Sequence, residues 1–210
     1  MLTRAELKQQ AKEQLKGKLG ALFVVGLVYV LVSLAISLVA GLIGAVVPVL
    51  VYVVTYALVP PIALGYYMVY LDTTYGDKPQ VATLFRPYKE CWLQSVLVNV
   101  LVAVFTLLWS LLLIIPGIIK SFSYSMAFFI MAENPSMTAT EAINESKEIM
   151  NGHKMDLFVL YLSFIGWFLL GYVTLGLGFI YVIPYMTLTL TNFYHNIKRQ
   201  SAPAAEAVAE

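Results

Sequence analysis

Charged side chains are few and unevenly spread. They make up 12% of the chain, against about 25% in an ordinary soluble domain, and the stretch from Leu19 to Leu71 has none at all. A helix crosses the hydrocarbon core of a bilayer with about 20 apolar residues. The uncharged stretch therefore holds two crossings and a turn, and a water-soluble domain is excluded. Cysteine is limited to Cys91, so an intrachain disulfide and a multi-cysteine metal site are excluded as well. The net charge of +1 leaves no global field for nucleic acid, and no nucleic-acid partner is expected. No Asp or Glu stands deep in an apolar run, so a carboxylate proton relay has no candidate. His153 and His195 lie at the edges of such runs without a ligand cluster, and no metal is expected. Gly-x-Ser-x-Gly, P-loop and His-Glu-x-x-His motifs are absent. The expectation is a chain with no catalytic residue and no cofactor, and not an enzyme.

What is present is apolar helix. Hydrophobic residues make up 60% of the 210 residues, a length that suits one membrane domain, 1–200. The charged N-terminal part runs to Lys18, and the apolar part after it far exceeds the 7–15 residues of a signal-peptide core, so the segment is expected to be retained. Uncharged runs predict an all-α polytopic membrane protein with six spans, near 19–46, 49–71, 92–115, 117–132, 155–171 and 176–194. Pro116-Gly117 is read as the break between the third and fourth. The last three are short, and four full spans plus a re-entrant segment is the alternative. With six spans, every Lys and Arg except Lys120 falls on one side. The positive-inside rule then puts both termini in the cytoplasm. Trp92, Trp109 and Trp167 suit interfacial belts. The tail, 201–210, is Ala-rich without periodicity and is expected to be disordered.

A repeat underlies the spans. Thr3 to Phe23 aligns without gaps on Thr138 to Phe158 at an offset of 135, with Thr3/Thr138, Glu6/Glu141, Lys12/Lys147, Glu13/Glu148, Gly17/Gly152, Leu22/Leu157 and Phe23/Phe158 identical. Each copy opens on a Thr-x-x-Glu capping box, forms a polar helix (3–18 and 138–151), meets a glycine and enters an apolar span. A looser third copy begins near Val81. The expected architecture is three hairpins, each preceded by a cytoplasmic amphipathic helix. In the first helix Arg4, Lys8, Lys12 and Lys16 form one stripe beside Leu7, Ala11 and Leu15. Such a stripe suits anionic lipid headgroups or a partner; a solvated helix end that only orients the first span is the plainer reading. The second helix is acidic outside, with Ala142, Ile143, Ser146, Ile149 and Met150 as its inner face. It is expected to dock on protein, with the basic first helix as one candidate.

Polar residues inside the spans are the remaining candidates. Ser33, Ser37, Gly41 and Ala45 recur every four residues, a pattern that lets helices pack closely within one chain or between two copies. Lys120 is the one basic residue in an apolar region. It can snorkel outward or join Asn99, Ser121, Ser123 and Ser125 in an intramembrane polar site. Serines and threonines in the spans also serve as interhelical glue.

The second half is similar to a known bacterial family. Ile115-Pro116-Gly117-Ile118, Ser123-Tyr124-Ser125-Met126, Glu133-Asn134-Pro135 and Glu141-Ala142-Ile143 carry the likeness. It continues through Ser146, Met150-Asn151-Gly152-His153-Lys154, Leu162-Ser163-Phe164-Ile165-Gly166-Trp167, Thr174-Leu175-Gly176-Leu177-Gly178, Pro184-Tyr185 and Phe193-Tyr194. The chain resembles the domain-of-unknown-function 975 family, with Glu133 where an aspartate is common and Tyr181 where a tryptophan is frequent. The resemblance implies a bacterial cytoplasmic membrane and carries over no catalytic residue. More distantly, the fold resembles membrane domains attached to glycerophosphodiesterases, which hints at lipid-related work. The first expectation for function is a non-catalytic scaffold or assembly component whose partners are membrane lipids, a second protein or another copy. The alternative is a transporter or lipid-handling protein with a polar cavity near Lys120 and Asn99.

Overall fold

The computed structural model describes residues 2–208, with side chains as far as Ser201, and is helical throughout apart from turns. The chain opens on α1 (Arg4–Leu15), followed by α2 (Leu19–Gly44) and α3 (Val49–Tyr75). A 3-10 turn, Val81–Phe85, and the short α4 (Arg86–Glu90) lead into α5 (Trp92–Leu112), α6 (Ile114–Tyr124) and α7 (Ala127–Glu133). Then come α8 (Ala139–Ile149), α9 (Lys154–Leu162), α10 (Ile165–Val173) and α11 (Phe179–Val208). Among the described residues, five segments are long and apolar enough to cross a membrane: α2, α3, α5, α6–α7 and α9–α10.

Both polar helices start as their sequences require. The Thr3 hydroxyl accepts from Glu6 N at 3.3 Å while the Glu6 carboxylate accepts from Thr3 N at 2.6 Å. Thr138 and Glu141 repeat the pair at 3.3 and 2.8 Å. These bonds hold both carboxyls below the usual carboxylate range. Each helix is followed by a left-handed glycine, Gly17 at φ 72° and Gly152 at φ 83°, a conformation that costs glycine little. The middle hairpin has no such entry: the 3-10 turn and α4 precede it.

Span boundaries differ from the sequence reading where turns decide them. The first helix ends at Gly44 rather than 46, and the second runs on to Tyr75 rather than 71. The third ends at Leu112, not 115, because Leu113 alone turns extended (φ −159°, ψ 140°) and reverses the chain. Pro116 does not break a helix. It lies in the first turn of α6, where a missing N–H is harmless. Gly117 then permits close approach, since a Cβ there would stand 2.7 Å from Ser110 Cα. The fourth and fifth segments each contain an interruption, at Ser125-Met126 and Ser163-Phe164. The stretch 201–208 continues α11, which suits its alanines; 209–210 lie outside the described residues.

Packing is concentrated at one end. α2 buries only Leu22, Val25 and Ala40, and α5 only Ser95 and Val98. From Pro60 to Thr73, by contrast, most of α3 is buried, and α7, α8 and the middle of α11 complete that core. Pro60 and Pro61 sit inside α3. The Ala57 carbonyl, which the missing N–H of Pro61 would have engaged, instead accepts from Trp92 Nε1 at 2.8 Å. Lys18 donates to the carbonyls of Thr73, Gly76 and Asp77 at 3.3, 3.2 and 2.9 Å, tying the start of α2 to the end of α3. Glu133 accepts from Tyr75, Tyr194 and Lys198, and Lys198 also faces Glu145. The ends of α3, α7, α8 and α11 are thereby joined through charge and hydroxyls.

Candidate functional site

Two cavities lie along the seam between α3 and α11. The larger, about 530 Å³, is a groove walled by α2, α3 and the start of α11. On α3, Ala63, Tyr66, Tyr67 and Tyr70 line it, three to four residues apart and so on one helical face. Ile180, Ile183, Pro184 and Thr187 do the same on α11. Gly26 opens the α2 wall, with nothing within 4 Å of where a Cβ would be. The walls are apolar and aromatic, but hydroxyls project into them. Tyr66 donates to the Tyr70 hydroxyl at 3.1 Å, and Tyr29 packs its ring 4.9 Å from that of Tyr66.

The second cavity, about 310 Å³, is polar. It is lined by Gln10, Glu13 and Gln14 of α1, by Thr74 and Tyr75 of α3, and by Asn192, His195, Asn196 and Arg199 of α11. Gln14 and Asn192 exchange two amide hydrogen bonds, at 3.0 and 2.9 Å, which fix α1 on α11. Thr74 donates to the Leu71 carbonyl at 2.7 Å. Its hydroxyl is therefore left to accept from His195 Nε2, 2.9 Å away, which places a proton on Nε2. Burial, above all, pushes His195 below its ordinary 6.5; Glu133 opposes this, and Arg199 and Lys198 add to it. Asn196 accepts from Leu2 N and Gln200 through Oδ1, both at 3.3 Å. Its Nδ2 is buried and has no partner among the described residues. Arg199 and Glu13 are exposed at the mouth.

Sequence comparison fixes the family at this point. The model described as "Protein of unknown function (DUF975)" matches residues 1–121 and 111–201. The chain belongs to the DUF975 family. No curated protein and no solved structure matches it.

In this DUF975 chain the residues singled out by sequence are scattered. The serines of the fourth segment bond to their own backbone: Ser121 to Ile118 O, Ser123 to Ile119 O and Ser125 to Phe122 O. Lys120 stacks over the Trp109 ring at 4.6 Å, a cation–π contact, and Asn99 is half-buried in α5. The two cavities described above lie elsewhere, on the α3–α11 seam. Of the basic stripe, Arg4, Lys12 and Lys16 are exposed. Lys8 turns inward, donating to Ser163 O at 3.0 Å and standing 4.3 Å over the Phe164 ring. Burial, then Lys12 and Arg4, lower its pKa. Of the small-residue stripe, Ser33 is half-buried while Ser37, Gly41 and Ala45 are exposed. The close approach of α2 to α3 is made instead at Gly44, where a Cβ would meet Val51. The acidic helix, α8, docks on α5, α6, α7 and α11 rather than chiefly on α1.

The residues that sequence reasoning missed are Tyr66, Tyr70, Asn196 and Arg199; Thr187 was read with Thr189, Thr191 and Asn192 as interhelical glue or the lining of a polar cavity. Their signal was a stripe. Tyr66, Tyr70 and Thr74 on α3, like Thr187, His195 and Arg199 on α11, recur at multiples of four.

Proposed function

We propose that this DUF975 chain is a non-catalytic, multi-pass protein of the bacterial cytoplasmic membrane that holds a membrane lipid in the groove between α2, α3 and α11. One observation carries the reading: an apolar, aromatic groove of about 530 Å³ with phenol hydroxyls in its wall. Sites for small apolar ligands have this composition, mostly hydrophobic with a few placed polar groups. On this reading α11 supplies a sixth crossing, the chain forms three hairpins, and both termini are cytoplasmic because the Lys and Arg residues flank that side. The matched caps and glycines of α1 and α8 support descent of the first and third hairpins from one repeated unit. Tags at each end, probed from outside intact cells, test the orientation; a tag accessible from outside overturns it.

Lipid binding is tested by gentle detergent extraction and native mass spectrometry. The wild type is expected to carry bound phospholipid, and Gly26→Leu, which fills the groove from open space, to lose it. Equal retention by both overturns the reading.

A scaffold or assembly role is the second reading, favoured by the outer faces of two helices. Arg4, Lys12 and Lys16 are exposed on α1, and Glu141, Asn144 and Glu148 on α8. The partners are then anionic lipid, a second protein or another copy. A scaffold predicts a native complex that Lys12→Glu with Lys16→Glu dissolves and Gly26→Leu leaves intact; an unchanged native mass counts against it.

A further inference from the structure

The polar pocket and the groove follow one another along the same faces of α3 and α11. On α3 the face Ala63, Tyr66, Tyr70 lines the groove and continues to Thr74, which lines the pocket. On α11 the face Ile183, Thr187 continues in the same way to His195 and Arg199. Both helices run from groove to pocket. Thr187 and His195 are eight positions apart, about 12 Å at 1.5 Å per residue. The apolar groove and the charged, amide-lined pocket are therefore about two helical turns apart along α11.

Resting on the lipid reading above, we infer that the polar pocket takes the headgroup of a zwitterionic aminophospholipid whose acyl chain lies in the groove. The pocket carries opposite charges. Arg199 offers a guanidinium fork suited to phosphate, and Asn196 Nδ2 lacks an acceptor among the described residues. A buried donor left unmet is unfavourable, and a phosphate oxygen would supply its partner. Glu13, engaged among the described residues only by the neutral Gln9 amide at 3.3 Å, offers a carboxylate to an ammonium group. His195 spends its Nε2 proton on Thr74, and burial disfavours its charged form. A purely anionic headgroup would satisfy Arg199 and be repelled by Glu13; a phosphate followed by an ammonium satisfies both.

The test uses the full chain in nanodiscs of mixed phosphatidylethanolamine and phosphatidylglycerol, with bound lipid read by native mass spectrometry. The wild type is expected to enrich phosphatidylethanolamine about threefold over the bulk ratio, the scale of an exposed ion pair. Glu13→Gln is expected to abolish that preference while keeping the lipid, and Glu13→Lys to reverse it. Arg199→Gln is expected to lower total occupancy of both lipids, and Gly26→Leu to remove lipid altogether. Bound lipid without headgroup preference, or a preference that Glu13→Gln leaves intact, overturns the inference while the groove reading stands. A wild type as empty as Gly26→Leu overturns both.

Discussion

α1 and α8 are built to one plan and used differently. Both begin on a threonine capping box, end before a left-handed glycine and lead into an apolar helix 135 positions apart. Leu7, Ala11 and Leu15 are buried in α1, and Ala142, Ser146 and Met150 occupy the matching buried positions of α8. The difference lies beside that face. Ile143 of α8 is 1% exposed, whereas its counterpart is Lys8, whose ammonium reaches across to the Ser163 carbonyl and the Phe164 ring. Ala11 is matched by Ser146, which accepts from Met126 N at 3.2 Å and donates to Ser123 O at 2.8 Å. α8 thus stitches the interruption between α6 and α7, while α1 is laid along α11 to close the polar pocket. A repeated sequence fixes helix ends; the side chains on the buried face decide what the helix is for.

Four sets of substitutions break or sharpen this comparison. The largest effect is expected from Ser146→Leu, which removes both partners at the α6–α7 interruption and overfills a closed site. A loss of about 3 kcal/mol follows, read as a lowered thermal midpoint in detergent, with Ala11→Leu costing less because it removes no hydrogen bond. Next, Thr3→Ala and Thr138→Ala should each cost about 1 kcal/mol; clearly unequal costs would show that the two caps are not equivalent. Lys8→Ile makes α1 resemble α8. It gives up a cation–π contact worth about 0.5–1 kcal/mol and is expected to loosen α1, read as faster amide exchange over Arg4–Leu15, whereas Lys147→Ile, which gives up only a longer contact with Tyr124 at 5.8 Å and a local bond to Asn144, should loosen α8 less.

The smallest effect is a pH dependence. Glu145 of α8 is matched by Gln10 of α1. Burial, above all, raises the Glu145 pKa above 4.5; Lys198 opposes this, and Glu133 and Glu148 add to it. The fold therefore favours the protonated form. Its contribution to stability is fully present below pH 4.5 and is lost as pH rises through the folded value. Glu145→Gln, which copies α1, should flatten that part of the stability profile in a titrated melt.

The polar helices were legible because their ends are written in local chemistry. Capping threonines, glutamates three positions on and terminal glycines specify a boundary without help from the rest of the chain. The apolar helices gave up their existence but not their faces. α2 is hydrophobic all round, so no periodicity marks the side that meets α3, and Ser37, Gly41 and Ala45 of the small stripe lie exposed, away from that contact. Leu113, the residue that reverses the chain, carries no turn signal at all; its backbone is set by α5 and α6 packing on each other through Gly117. The groove was hidden for a related reason. It belongs to three helices far apart in sequence, and tyrosines in an apolar run look the same whether they face a neighbour or a cavity.

Lys18, by gripping three carbonyls where α3 ends, fastens one extremity of the α2–α3 pair, and the short connection through Pro48 fastens the other. Two rods pinned at both tips cannot part in the middle. A molecule entering sideways must slip between α11 and the α2–α3 pair, whose mutual contacts are sparser, and the exposed Phe23, Leu27, Val30, Ile180 and Ile183 mark that doorway of the groove.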